Sequence, residues 1–595
     1  MKTLSFVDSK RTLLFVVVCA LLAACADRNM NSDTTMDKQK IIIYQVLPRL
    51  FGNDNRTCQP RGTKQVNGCG KLADFTPRAL QQIRSLGATH VWYTGVIEHA
   101  TQTDNSLYGI PADNPAVVKG KAGSPYAIRD YYDIDPDLAT SIPARMAEFE
   151  SLVQRTHDAG MRVIIDFVPN HVARQYHSDA APSGVRDFGC DDDTTQAFSP
   201  QNNFYYIPGQ ALQVQGIDQA DYYENPARAT GNDQFTATPN VNDWYETVKL
   251  NYGVDYQNNR QGHFSPVPNT WKKMLHILLF WASHGVDGFR CDMAEMVPVQ
   301  FWKWAITQVK AQHPEIIFIA EIYNPDAYAD YIQQGHFDYL YDKVGMYDCL
   351  RAVTEGKQQA SDITRQWQAT DTLREHMLYF LENHDEQRIA SDFFAHDGEH
   401  GRPAMIIATC LGTNPTLLYF GQELGERGME DEGFSGRDGR TTIFDYWTID
   451  AIRRWRNQGR FDNRQLTPRE VSLQQFYSRL LNLANADEVL REGEMYDLMY
   501  ANLQNPDFNP GKHFAFVRRL GRQVVLAVVN FEDRDTEVAV NIPSHLFEFY
   551  ELPEVEDITA RGLLSNSPYK ISFSTKQPTR VLIPANSGRL LKFKL

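Results

Sequence analysis

At residues 288–296 the chain reads GFRCDMAEM, with Arg290 and Asp292 two positions apart where a hydrophobic run stops. A guanidinium beside a carboxylate favours the ionised acid. This spacing therefore predicts an aspartate that stays anionic and is free to attack an electrophile. The pair is not isolated. One apolar run ends in Asp166, with Asn170 and His171 just beyond it. Later runs end in Glu321, in Glu382, Asn383, His384 and Asp385, and in Gln422 and Glu423. A single aspartate at a strand end is usually a helix cap or an ion-pair partner. Five strand ends finishing this way predict a polar rim built for acid–base chemistry.

The elements that must carry this rim repeat one pattern: an amphipathic helix, a glycine, then a short apolar strand. Thr76-Pro77 opens a helix with Leu80, Ile83 and Leu86 on its buried stripe, Gly87 ends it, and THVWYTG follows. Met146, Phe149, Leu152 and Val153 precede Gly160 and MRVIIDFV; Trp271, Met274, Leu275 and Leu278 precede Gly285 and VDGFRCD. EIIFIAE, FDYLY, HMLYFLE and TLLYFG continue the series that IIIYQVL began at residue 41. Unbroken apolar strands are buried on both faces, as in a parallel sheet. Eight of them, mostly separated by helices, predict an α/β fold: a closed (β/α)8 TIM barrel over 41–470. An open doubly wound sheet would carry a glycine-rich phosphate turn after an early strand, and this chain has none. Residues 172–262, polar and aromatic, read as a subdomain inserted after strand three. Residues 471–499 read as a helical connection and 500–595, with alternating strands, as a C-terminal β-sandwich.

The segments DFVPNH, GFRCDMAEM, FIAEIYNP and FLENHDEQR, in that order, resemble the four sequence blocks of the alpha-amylase family, glycoside hydrolase family 13. IYQVLPRLF, SPYAIRDYYDIDPDLA and LLYFGQELGE also match that pattern. The resemblance implies a retaining glycosidase acting on α-1,4-glucans. Asp292 matches the nucleophile, Glu321 the acid/base, whose site should raise its pKa, and Asp385 the third carboxylate, which binds sugar hydroxyls. Arg290 would keep Asp292 ionised. His171, His384 and Tyr126 match residues that contact the sugar being cleaved, with Asp130 nearby. A neopullulanase or cyclomaltodextrinase, an α-1,6-glucosidase and a transglycosylase share these carboxylates. A carbohydrate-binding protein on a dead enzyme fold would usually lack one of them. Where many members have Lys-His after the nucleophile, this chain has Glu295-Met296, and Pro125 replaces a usual glycine. Asn170 matches a calcium ligand of many members, so a structural calcium ion is compatible with the sequence, as is a second site at Asn53 and Asn55. The chemistry itself needs no cofactor.

The chain has 595 residues, too many for one core, and a net charge of −15. It has no basic run beyond the first dozen residues, so nucleic acid is not an expected partner. Lys10 and Arg11 precede an apolar stretch too short to span a bilayer, ending in Leu22-Ala23-Ala24-Cys25. This resembles a bacterial lipobox. It implies a signal peptide over 1–24, a lipid on Cys25, a polar tether over 25–40, and a membrane-anchored protein of the cell envelope. Cys58 and Cys69 lie in one loop and are candidates for a disulfide. Cys291, Cys349 and Cys410 read as core residues.

Overall fold

The computed structural model describes residues 39–219 and 221–595. The signal peptide, Cys25 and nearly all of the tether lie outside the described residues. Eight parallel strands form the central sheet: β1 (Ile42–Val46), β2 (His90–Tyr93), β3 (Arg162–Phe167), β4 (Gly288–Cys291), β5 (Ile317–Ala320), β6 (Tyr339–Tyr341), β7 (Met377–Leu378) and β8 (Thr416–Tyr419). Their order is β7-β6-β5-β4-β3-β2-β1-β8, and a parallel bridge from Tyr379 to Thr416 joins the two edges. At this seam the Tyr379 N–H donates to Pro415 O and the Leu417 N–H to Tyr379 O. The sheet is a (β/α)8 barrel.

The expected helices form where the stripes place them. Thr76 caps the helix Pro77–Ser85 by accepting the Ala79 N–H at 3.2 Å, with proline at the first turn. Beyond that helix Gly87 has φ +106°, a conformation a side chain disfavours, and a Cβ there would lie 2.8 Å from the Leu481 backbone. The helix Asn269–Ser283 buries Trp271, Met274, Ile277 and Leu278 against the barrel. The β3–β4–β5 register sets Arg290 beside Asp166 and Ile319. It thereby aims a guanidinium into the barrel at the level of the strand ends.

Two excursions build the wall around that end. The expected insertion after β3 begins with His171–Ala173, paired antiparallel to Thr247–Lys249. A second was not expected: between β2 and β3 a hairpin of Ile97–His99 and Ile128–Ile134 carries Tyr126 on its approach and Asp130 within it. The C-terminal antiparallel part comprises β9 (Glu494–Asp497), β10 (His513–Leu520), β11 (Gln523–Asn530), β12 (Thr536–Val540), β13 (Val555–Gly562), β14 (Pro568–Phe573), β15 (Thr579–Ile583) and β16 (Ser587–Lys594). One sheet runs β9-β10-β11-β16-β13-β14, and β12 pairs with β15 beside it, which fits a β-sandwich. Its first strand, β9, lies inside the stretch read as a helical connection. EMYD has no apolar run to announce it, and pairing with Phe516–Arg519 makes it a strand. Cys58 and Cys69 are free thiols: the Cys58 Sγ faces Thr448 O and the Cys69 Sγ faces Gly70 O and Asp137 O.

Candidate active site

Arg290 is the hub of the rim, fully buried on β4. Its Nη1 lies 3.0 Å from Asp292 Oδ1 and 3.5 Å from Asp166 Oδ1, and its Nη2 lies 2.8 Å from Glu321 Oε2. The rings of Trp92, Tyr126 and Tyr341 surround the guanidinium at 5.3, 5.3 and 5.5 Å. They fix it in place and exclude water. One cation thus serves carboxylates from the ends of three adjacent strands.

The carboxylates are treated unequally. Glu321 is well supplied with donors: Tyr323 O–H donates to Oε1 at 2.7 Å and the Met293 N–H to Oε2 at 2.7 Å, besides the Arg290 ion pair. Met293 reaches this position with φ +42°, an unusual backbone conformation for a non-glycine residue and one that concentrates at functional sites. Asp292 has Arg290 on Oδ1, whereas its Oδ2 is buried with no hydrogen-bond partner, 4.0 Å from His171 Nε2. Burial, and next the Glu321 charge, push the Asp292 carboxyl well above its usual range, against the pull of Arg290. Arg290 lowers the Asp292 pKa, as its neighbourhood predicts, but burial and the Glu321 charge outweigh it. The guanidinium is shared among three acids and cannot compensate the desolvation of all of them. Burial likewise lifts Asp166 to about 6.

The two histidines stand at the same rim and are kept neutral. Burial, reinforced by the Lys249 charge, lowers His171 to about 3; burial and Arg290 lower His384 well below its usual value. The His384 Nε2 lies 2.5 Å from the Tyr126 hydroxyl and 3.1 Å from Asp385 Oδ2, and Nδ1 lies 2.8 Å from Gln45 Nε2. Tyr126 stacks on this imidazole at 5.2 Å and donates to Asp166 at 3.3 Å. Asp385 is the most open of the three acids, its side chain 28% exposed, and burial raises its pKa.

Two expected site residues have other roles. Asp130 is wholly buried and accepts from Tyr132 N, Ser178 Oγ, Asp179 N and Ala180 N at 2.6–3.0 Å. It fastens the β2–β3 hairpin to the insertion instead of facing substrate. Asn170 does not present an open ligand set for a metal: its Oδ1 accepts from the Lys249 ammonium and its Nδ2 donates to Gly231 O at 2.7 Å.

A cavity of about 270 Å³ opens over Asp292, Glu321 and Asp385, with Tyr126 and His171 in its wall. Trp244, Lys119, Tyr323, Phe434 and Phe444 also line it. None of these five was singled out from the sequence. Trp244 lies in the aromatic insertion and Tyr323 in FIAEIYNP, and aromatic content there was the available signal. Phe434 and Phe444 come from the segment after β8, whose strand pattern gives no cue. Apolar rings above a carboxylate floor suit a sugar, which offers C–H faces and hydroxyl edges.

Residues 45–458 match the family profile described as "Alpha amylase, catalytic domain". The alpha-amylase MalA of Haloarcula japonica is 28% identical over 400 residues, covering 66% of this chain and 45% of that protein. The chain therefore spans less than half the length of that relative. Neopullulanase 2 of Thermoactinomyces vulgaris is 22% identical over 531 residues, 85% of this chain and 72% of that protein. Among solved structures, a maltogenic alpha-amylase of Thermotoga neapolitana superposes with a TM-score of 0.60 at 20% identity, over 94% of this chain and 100% of that one. The profile match runs from the end of β1 past β8, and the chain belongs to the alpha-amylase family, glycoside hydrolase family 13.

Proposed function

We propose that this glycosidase cleaves α-1,4-glucosidic bonds of starch-like glucans and maltodextrins with retention of configuration. The observation that carries the reading is the bare Oδ2 of Asp292, buried at the cavity floor beside an acid that shares its guanidinium. In the first step Asp292 Oδ2 attacks C1 of the sugar while Glu321 gives its proton to the departing glycosidic oxygen, leaving a glycosyl ester on Asp292. In the second step Glu321 takes a proton from water, whose oxygen attacks C1 and restores the Asp292 carboxylate. Asp385 and the neutral His171 and His384 bond the hydroxyls of the same sugar, favouring the flattened, cation-like ring. Neither step calls for a cofactor.

Time-resolved proton NMR of maltoheptaose cleavage by the chain lacking residues 1–25 tests this. The expected first product is the α-anomer from mid-chain cuts; early β-anomer would sink the double displacement. A neopullulanase-type preference is the second reading, favoured by the long match to neopullulanase 2. Faster hydrolysis of pullulan or cyclodextrin than of maltoheptaose would select it. We further propose that Cys25 carries lipid and tethers the enzyme to a membrane of the bacterial envelope. A Cys25→Ala variant that still partitions with membranes after secretion would refute the anchor.

A further inference from the structure

Lys249 closes the strand Thr247–Lys249 of the insertion, its side chain 2% exposed. Its ammonium is surrounded by oxygens from three separate segments. Asn170 Oδ1 accepts from it just beyond β3, Asp233 Oδ1 lies at 2.7 Å within the insertion, and Met296 O accepts at 3.3 Å in the turn after β4. The Tyr256 ring lies 5.6 Å away on another side. An ammonium has three N–H donors and no acceptor. Two of these oxygens, Asn170 Oδ1 and Met296 O, accept hydrogen bonds from it, and the Asp233 carboxylate pairs with it as an ion. The Asn170 amide is held with its oxygen toward the lysine because its nitrogen is spent on Gly231 O.

We propose that Lys249 is a resident cation that replaces a structural calcium ion at the junction of the insertion, β3 and β4. Calcium requires six to eight oxygens at about 2.3–2.6 Å. The oxygens that converge on this point are an amide, a carboxylate and a carbonyl, and a covalently attached charge already stands among them. Arg260 adds further positive charge on the far side of Asp233, 3.8 Å from its Oδ2. A second, divalent cation would be repelled by both. The lysine also does what a metal would do: it ties the insertion, which supplies Trp244, to the turn that carries Glu295 and Met296. Because it cannot dissociate, this junction is indifferent to chelators.

The test measures thermal unfolding and metal content, neither of which depends on the substrate. Wild-type protein dialysed against EGTA should melt within about 1 °C of protein in millimolar calcium. Lys249→Met, which keeps the bulk and removes the charge, should melt at least ~4 °C lower, because Asp233 and Asn170 are left facing an apolar chain. Calcium should not restore it. Should Lys249→Met fail to fold, Asp233→Asn at the more open edge should lower the midpoint by about 1–2 °C, again without calcium dependence. The proposal is overturned if the wild type retains about one calcium per chain that Asn170→Ala loses. It is equally overturned if EGTA lowers the wild-type midpoint by several degrees, or if the variants melt like the wild type.

Discussion

Arg290 and Arg518 are both completely buried and differ in everything else. Arg290, at the barrel rim, is paired with Asp166, Asp292 and Glu321. Arg518, on β10 where the sandwich meets the barrel, donates to Gly493 O, Cys410 O and Gly412 O at 2.6–3.0 Å. Charged partners drive the Arg290 guanidinium still further above its ordinary value, whereas burial among neutral carbonyls draws Arg518 down to about 10. The acceptors of Arg518 are main-chain groups that the fold already holds in place, so its bonds stitch two layers together. Arg290 instead leaves an acid oxygen uncompensated beside a cavity. A buried arginine is therefore no sign of function by itself. The sign is the excess of acid around it and the open space that this acid faces.

The comparison breaks most visibly at Asp292. Replacing it with asparagine should lower kcat on maltoheptaose at least ~10³-fold, since the proposed nucleophile is gone. The folded state holds the Asp292 proton more tightly than the unfolded chain does. Wild-type stability therefore falls as pH rises from the ordinary carboxylate range toward the raised value. Asp292→Asn lacks that loss, so its thermal midpoint should match the wild type at low pH and exceed it at neutral pH. A midpoint below wild type at pH 7 would mean the carboxylate stabilises the fold.

Exchange of the two arginines for methionine should give opposite phenotypes. Arg518→Met removes four hydrogen bonds to main-chain carbonyls and should cost roughly 3 kcal/mol in urea unfolding, with kcat/KM within about twofold of wild type. Arg290→Met should abolish most activity. If Arg518→Met also lost activity at temperatures where it is folded, the claimed division between stitch and hub would be wrong.

A finer effect lies in the pH profile. In the proposed mechanism Asp292 must be ionised, and its pKa is raised, so the acid limb of kcat/KM should lie above the usual aspartate range near pH 4. A limb at or below pH 4 in the free enzyme would contradict the shared-guanidinium account. The smallest change concerns Glu98, buried away from the cavity near Asp130 and Asp133, where burial and these two charges lift it to about 9. Its proton is held in the fold, so stability is lost as pH climbs from about 4.5 to about 9. Glu98→Gln should leave kcat unchanged and flatten that decline, as read from thermal midpoints across the range.

The barrel was legible because strands buried on both faces leave long apolar runs, against which polar termini such as Asp166, Arg290 and Glu321 stand out. Its rim acids followed directly. The rest depended on distance in space. Asp130 beside Tyr126 looked like a ligand, yet its partners at Ser178 and Asp179 lie some fifty residues on, and nothing in SPYAIRDYY names them. The direction of the Asp292 shift required knowing that one guanidinium is divided among three strand ends. Lys249 was invisible as a cation-site occupant because Asn170, Asp233 and Met296 meet only after the insertion folds back. Phe434 and Phe444 arrive from a glycine- and charge-rich segment that has no periodicity to read.

The seam between β7 and β8 rests on a two-residue strand and one bridge at Tyr379. His384 and Asp385 hang just beyond it, while Asp292 and Glu321 sit on the opposite, fully laddered side of the barrel. On warming, amide exchange should quicken first around Tyr379, and the hydroxyl-binding acid should lose its alignment before the nucleophile does. Heat would then disarm the enzyme from one side, with catalysis fading several degrees before the ellipticity of the barrel begins to fall.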